Sequence, residues 1–176
     1  MEKKWTIRET RKSDAQAIFS IMLIGWLDNY INEDEKVDRE FVLRDRLRTL
    51  EYEFFRDECR YSYFENTKNN MHFVAEDVNG VIIGFIHGIR NEDIQSLEGL
   101  YLYREFHGTG LAQELASRFL EWEDKERNSE VGAVAYNGRA IRFYEKLGFA
   151  PNGVTYLLKD KIPCIDLVKK NVGEEK

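Results

Sequence analysis

The stretch LYREFHGTGLAQELASRFL, from Leu102 to Leu120, sets two glycines, Gly108 and Gly110, at the seam between an apolar alternating run and a helical pattern. A strand ending at Tyr103, a short loop and a helix follow from that pattern. The first turn of such a helix leaves several backbone N–H groups unpaired, facing outward with the positive end of the dipole. That is an anion site, and Gly108, Gly110 and the small Ala112 leave room above it for a phosphate. The same two glycines serve equally well in a tight turn. The third glycine of a dinucleotide fingerprint would fall at Gln113, and no Lys followed by Ser or Thr comes after the glycines, so neither that fingerprint nor a P-loop is present.

The rest of the chain reads as alternating strands and helices. WTIRET alternates as a half-buried strand does, with Trp5 and Ile7 on one side, and Ser13 is placed to cap a helix that carries Ile18, Ile21, Met22 and Trp26 at helical spacing. From Glu33 to about Asn70 the sequence is charged and aromatic, and Phe41, Leu43, Leu47, Leu50 and Phe54 suit one or two helices. MHFVAED and VIIGFIHGI flank Asn79 and Gly80, a two-residue hairpin signal. SLEGLYLY adds a strand, Leu111, Leu115, Phe119 and Trp122 share a helical face, and VGAVAY is a further strand. NGRAIRFYEKLGF is a compact helix with Asn137 as its cap and Gly148 just past its end. VTYLL and CIDLVKK close the chain as strands. Hairpins with at least one strand–helix–strand crossover favour an α/β layer over a bundle or a sandwich.

At 176 residues and 43% hydrophobic the chain is sized for one core, and the expected organisation is a single domain over residues 1–171 with a disordered tail at 172–176. A net charge of −6 argues against a sequence-independent grip on nucleic acid. No apolar run reaches the roughly 18 to 20 residues of a membrane span, and no apolar segment follows the first lysines as in a leader. No membrane association and a cytoplasmic location are expected. Cys59 and Cys164 lie far apart without metal-ligand spacing, so neither a disulfide framework nor a metal is expected.

The segment from Leu97 to Phe149 resembles the GNAT superfamily of acetyl-CoA-dependent N-acetyltransferases. His107, Gly110 and Ala112 stand where that family's pyrophosphate loop has Gln or Arg, then Gly, then Gly or Ala. Asn137, Tyr144, Gly148 and Phe149 match its second motif. The resemblance implies the GNAT fold, a mixed and mostly antiparallel sheet of about six to seven strands flanked by helices, with acetyl-CoA as acetyl donor. It implies cofactor contacts from Tyr101, Leu102, Tyr103, His107, Gly108, Thr109, Gly110, Leu111, Ala112, Asn137 and Tyr144, with pantetheine along the backbone of 100–103 and the Leu102 amide able to stabilise an oxyanion.

By the same resemblance Tyr144 is the general acid for the leaving thiolate. Glu98 is a general base, alternatively a surface strand residue. Ribosomal-protein acetyltransferases carry a glutamate five residues before the motif Asn, where this chain has Gly132, so that subfamily is disfavoured. His107 departs from the pattern: neutral it would donate to phosphate, protonated it would pair with it, and a loop position facing solvent is the alternative. His72 and His87, in strand runs, read as structural. The resemblance implies a primary amine of a small molecule or peptide as substrate. Trp26 and Tyr30 are candidates to receive it, since GWLDNY is similar to the corresponding helix end of bacterial polyamine and small-amine members. A non-catalytic acyl-CoA-binding sensor of the same fold is the alternative function, and a homodimer through terminal strands such as CIDLVKK is open.

Overall fold

The computed structural model describes residues 4–53, 65–92 and 94–171. In chain order the elements are β1 (Trp5–Glu9), α1 (Ala15–Asn29), α2 (Arg39–Glu53), β2 (Asn70–Asp77), β3 (Ile82–Arg90), β4 (Gln95–Leu102), α3 (Leu111–Trp122), β5 (Ser129–Val134), α4 (Gly138–Lys146), β6 (Ala150–Leu158) and β7 (Ile162–Lys169). Seven strands form one sheet in the order β1-β2-β3-β4-β5-β7-β6, antiparallel except for β4 beside β5. Cys59 and Phe54 fall outside the described residues, as does the expected tail at 172–176. No described helix is long and apolar enough to cross a membrane.

The helices cover opposite faces. Leu111, Leu115 and Phe119 of α3 are spaced at one helical turn and fully buried with Val131, Ala133, Phe149 and Leu167. Burying each such side chain stabilises by about 1.5–3 kcal/mol, so Leu115→Ala alone would cost roughly 2–5 kcal/mol. The helix stops after Trp122, whose carbonyl accepts from Arg90 at 2.7 Å while the same guanidinium lies 4.1 Å over its ring. On the other face α1 packs Ile18 and Ile21 against Val74 and Phe85.

Three local expectations are corrected. Ser13 lies inside a 3₁₀ turn, and the entry to α1 is organised by Asp14, which accepts from Arg11 N at 2.7 Å and pairs with Arg8 at 2.7 Å. Among the described side chains of α2 the buried ones are Val42 and Arg46, one turn apart, with Phe41 packed beside them; Leu47 is half exposed and the side chain of Leu50 falls outside the described ones. The Arg46 guanidinium lies 3.7 Å over the Trp26 ring, a contact a leucine count does not foresee. The β2–β3 loop is longer than two residues: Asp77 N donates to Val81 O, Gly80 N donates to Asp77 O, and Gly80 takes φ +81°.

The terminal strand is also placed differently. β7 lies between β5 and β6, so CIDLVKK offers no free edge; the open edges belong to β1 and β6.

Candidate functional site

β4 and β5 meet at one end only. Their sole registered pair is Ser96 with Glu130. That end is fastened by buried polar groups: Gln95 Nε2 donates to Ser129 Oγ at 2.9 Å, Ser129 Oγ donates to Glu123 Oε2 at 2.6 Å, and Lys169 and Asn171 also reach Glu123. Burial would raise the Glu123 carboxyl, but its hydrogen bonds from Lys125, Lys169, Ser129 and Asn171 outweigh that and hold it at about 2.

Beyond Ser96 the strands splay. His87 faces Gly99 while Gly88 faces Leu97, which leaves Glu98 as the extra residue of a bulge. Tyr103 N donates to Ile83 O at 3.1 Å, so by alternation Leu100 and Leu102 turn their N–H and C=O groups toward diverging β5. A cavity of about 490 Å³ opens there, reaching from Glu98 and Gly132 to Gly108 and Ala112.

At the loop, Gly108 has φ +76° and Gly110 φ +95°, a region that favours glycine. A Cβ added to either would meet nothing within 4 Å, so the space above the loop is open. The N–H groups of Gly108, Gly110, Ala112 and Gln113 have no partner among the described residues. Four unpartnered donors within the six residues around a helix start fit a phosphate-bearing cofactor. Thr109 Oγ1 donates to Phe106 O at 2.7 Å and so braces the loop.

His107 is held by Arg139, whose Nη1 donates to His107 Nδ1 at 2.7 Å. Burial and the Arg139 charge lower its pKa, with the Leu102 carbonyl acting the other way. The neutral form with Nδ1 as acceptor is favoured, against a protonated loop histidine. Asn137 Oδ1 accepts from Ala140 N at 3.1 Å and so caps α4, and the residue lines the cavity.

Tyr144 lines the cavity with its ring in the core beside Phe149, 6.2 Å between centroids. Burial, with the Tyr101 phenol nearby, pushes its pKa well above the ordinary tyrosine value. Its proton is therefore held more tightly than a free phenol's. Glu98 is exposed on the opposite rim, accepting from Ser96 Oγ.

The amine-side candidates separate. Tyr30 lines the cavity, together with Gly25, Asp28 and Asn29 of α1. Trp26 does not. It is buried, stacked 4.1 Å from Tyr30, and donates Nε1–H to Tyr101 OH at 3.1 Å. Tyr30 OH sits 3.1 Å from the same hydroxyl. Trp26 supports these phenols from behind because it falls on the inward face of α1, under Arg46. Of the predicted cofactor residues, Tyr101, Leu102, His107, Gly108, Gly110, Ala112, Asn137 and Tyr144 line the cavity, whereas Tyr103, Thr109 and Leu111 flank it. Leu111 is fully buried.

Two features escaped the sequence reading. Arg139, Arg142 and Lys146 put a basic row on the cavity side of α4. A cation in the first turn of a helix, against the dipole, was the available signal. Tyr156 crosses from β6 so that its hydroxyl occupies the space a Cβ on Gly132 would need. Only the sheet order reveals that approach. His72 and His87 stack at 3.9 Å, and burial lowers them to about 2 and about 4, with His87 also lowering His72.

A splayed strand pair beside a glycine-rich helix start, with a capped helix opposite, defines an acyltransferase fold of the kind expected. Residues 41–149 match the acetyltransferase (GNAT) family, and the chain belongs to it. Among curated proteins it is 31% identical over 102 residues to the spore coat polysaccharide biosynthesis protein SpsD of Bacillus subtilis, a match covering 53% of this chain and 35% of that protein. Solved structures of similar fold include Ard1 from Thermoplasma volcanium, with TM-score 0.64 and 18% identity over 97% of this chain and 100% of that one. The PaiA N-acetyltransferase from Thermoplasma acidophilum, in complex with coenzyme A, gives TM-score 0.65 at 18% identity over 96% and 99%. The ribosomal-protein-S18-alanine N-acetyltransferase from Escherichia coli gives 0.61 at 18% over 98% of each chain.

Proposed function

We propose that this chain moves an acetyl group from acetyl-CoA to a primary amine of a small molecule or peptide by direct attack. The observation that carries the reading is the set of four unpartnered amides beneath open space, continuous with the backbone of Leu100 and Leu102 that turns away from β3. When bound, acetyl-CoA supplies a thioester whose carbonyl carbon accepts the amine nitrogen as the C–S bond breaks. The loop amides hold pyrophosphate, the backbone of Leu100 and Leu102 pairs with pantetheine amides, and Asn137 donates from the opposite wall. The Leu102 N–H stabilises charge on the carbonyl oxygen. Glu98 takes the proton from the amine, directly or through water, and Tyr144 gives its proton to the departing thiolate.

The rim of Asp28, Tyr30 and Glu98 supports a cationic amine, through charge and ring contact. Among solved relatives of the fold is a spermidine N-acetyltransferase chimera, which is consistent with that class. A non-catalytic acyl-CoA-binding module is the second reading, and one observation favours it: burial moves the Tyr144 phenol away from the thiol range near 8.5.

Free thiol release from acetyl-CoA, followed against polyamines, amino acids, short peptides and aminoglycosides, separates the two. Release that depends on one amine class, and that falls roughly 10²-fold in Tyr144→Phe, is expected. Acetyl-CoA binding with no amine-dependent release across the panel would favour the binding module, and unchanged turnover in Tyr144→Phe would remove the acid role.

A further inference from the structure

The donor reading leaves one strongly held charge without a task. Arg139 stands in the first turn of α4, which contains no acidic residue. Both arms of its guanidinium are fixed by neutral acceptors, Nη1 by His107 Nδ1 at 2.7 Å and Nη2 by Asn29 Oδ1 at 2.8 Å. No carboxylate pairs with it among the described residues. It thereby ties together α4, the glycine loop and the end of α1 around the mouth of the cavity. Arg142 and Lys146 extend the positive wall at i+3 and i+7. The segment from Gly108 to Ala112 contains no basic side chain, and His107 is held neutral.

We propose that Arg139 is a phosphate-binding residue of the donor site, its guanidinium leaving Asn29 to grip the pyrophosphate that lies on the amides of Gly108, Gly110, Ala112 and Gln113. The inference rests on the acetyl-CoA reading above. A planar fork of donors suits two phosphate oxygens at once, and an anion is a better partner for it than a neutral imidazole and an amide oxygen. In the free protein the neutral partners hold the fork at the mouth in place, so little side-chain freedom is lost on binding.

Calorimetric titration tests this without turnover, using CoA, dephospho-CoA and S-acetylpantetheine, which has no phosphate, on wild type, Arg139→Gln and Arg139→Lys. Arg139→Gln is expected to weaken CoA and dephospho-CoA alike, by roughly 10-fold, to flatten the salt dependence, and to leave S-acetylpantetheine unchanged. Arg139→Lys should recover part of the loss, since it keeps the charge without the fork. Equal CoA affinity in wild type and Arg139→Gln overturns the proposal and leaves the donor reading standing. A loss seen with CoA but not dephospho-CoA moves the contact to the 3′-phosphate and overturns the pyrophosphate assignment. An equal loss for S-acetylpantetheine would mean a general distortion of the cleft and overturns the phosphate assignment. Wild type that binds none of the three would instead remove the donor reading itself.

Discussion

β4 and β5 are one strand pair with two opposite ends. At the first end Gln95, Ser129 and Glu123 are buried and bonded to one another, and Asn171 and Lys169 close the cluster. At the other end the strands part at a bulge, with Gly99 and Gly132 on the two sides and no β4–β5 pairing between them. Polar groups buried at the closed end are satisfied by the protein, while those at the open end are left for a ligand. The wedge is thus held at its apex by side chains, and its mouth can stay unpaired without the sheet coming apart.

The largest expected effect is at the apex. Glu123→Ala leaves Lys169, Ser129 and Asn171 without their shared acceptor, and should cost roughly 3 kcal/mol in a denaturant titration, with CoA binding lost in step. Full stability in that variant would mean that the sheet, not the cluster, holds the apex. Next comes Tyr144→Phe at the mouth, where turnover falls and the melting temperature stays near wild type. If both fell together, the mouth would be as structural as the apex.

Acid sharpens the contrast further. Glu123 has its folded pKa lowered from 4.5 to about 2, so the unfolded chain takes up the proton more readily. Its stabilisation is present above pH 4.5 and is lost as the pH falls toward about 2. Denaturant midpoints of the wild type should therefore fall more steeply across that window than those of Glu123→Gln; parallel curves would count against the apex assignment. The smallest effect belongs to Gly132→Ala. Its methyl must displace the Tyr156 hydroxyl, and a few-fold rise in KM for the amine with unchanged CoA affinity is expected. Unaltered amine kinetics would separate Tyr156 from the acceptor side.

Much of the mouth is legible in the sequence, because its chemistry is local. Gly108 and Gly110 declare a positive φ, Asn137 caps the helix it precedes, and Gly148 follows that helix at φ +92°. What was not readable came from distant partners. Arg46 faces inward because it finds the Trp26 ring, and Trp26 misses the cavity for the same reason. The turn at Lys159 and Asp160 takes φ 55° and 57° with no glycine to announce it. The place of β7 between β5 and β6 depends on pairings that no periodicity encodes. The position of Arg139 against the helix dipole is visible in the sequence, but its partners His107 and Asn29 come from other elements of the fold.

The approach of Tyr156 to Gly132 makes these two positions a matched pair with a direction. A carboxylate introduced at 132 would land on a phenol, whereas a smaller residue introduced at 156 first would open the space it needs. The single change Gly132→Glu should thus be harmful and Tyr156→Ala tolerated, with the double variant better than the first alone. A route from this acceptor arrangement to one with a carboxylate on β5 has a passable order of steps and a blocked one.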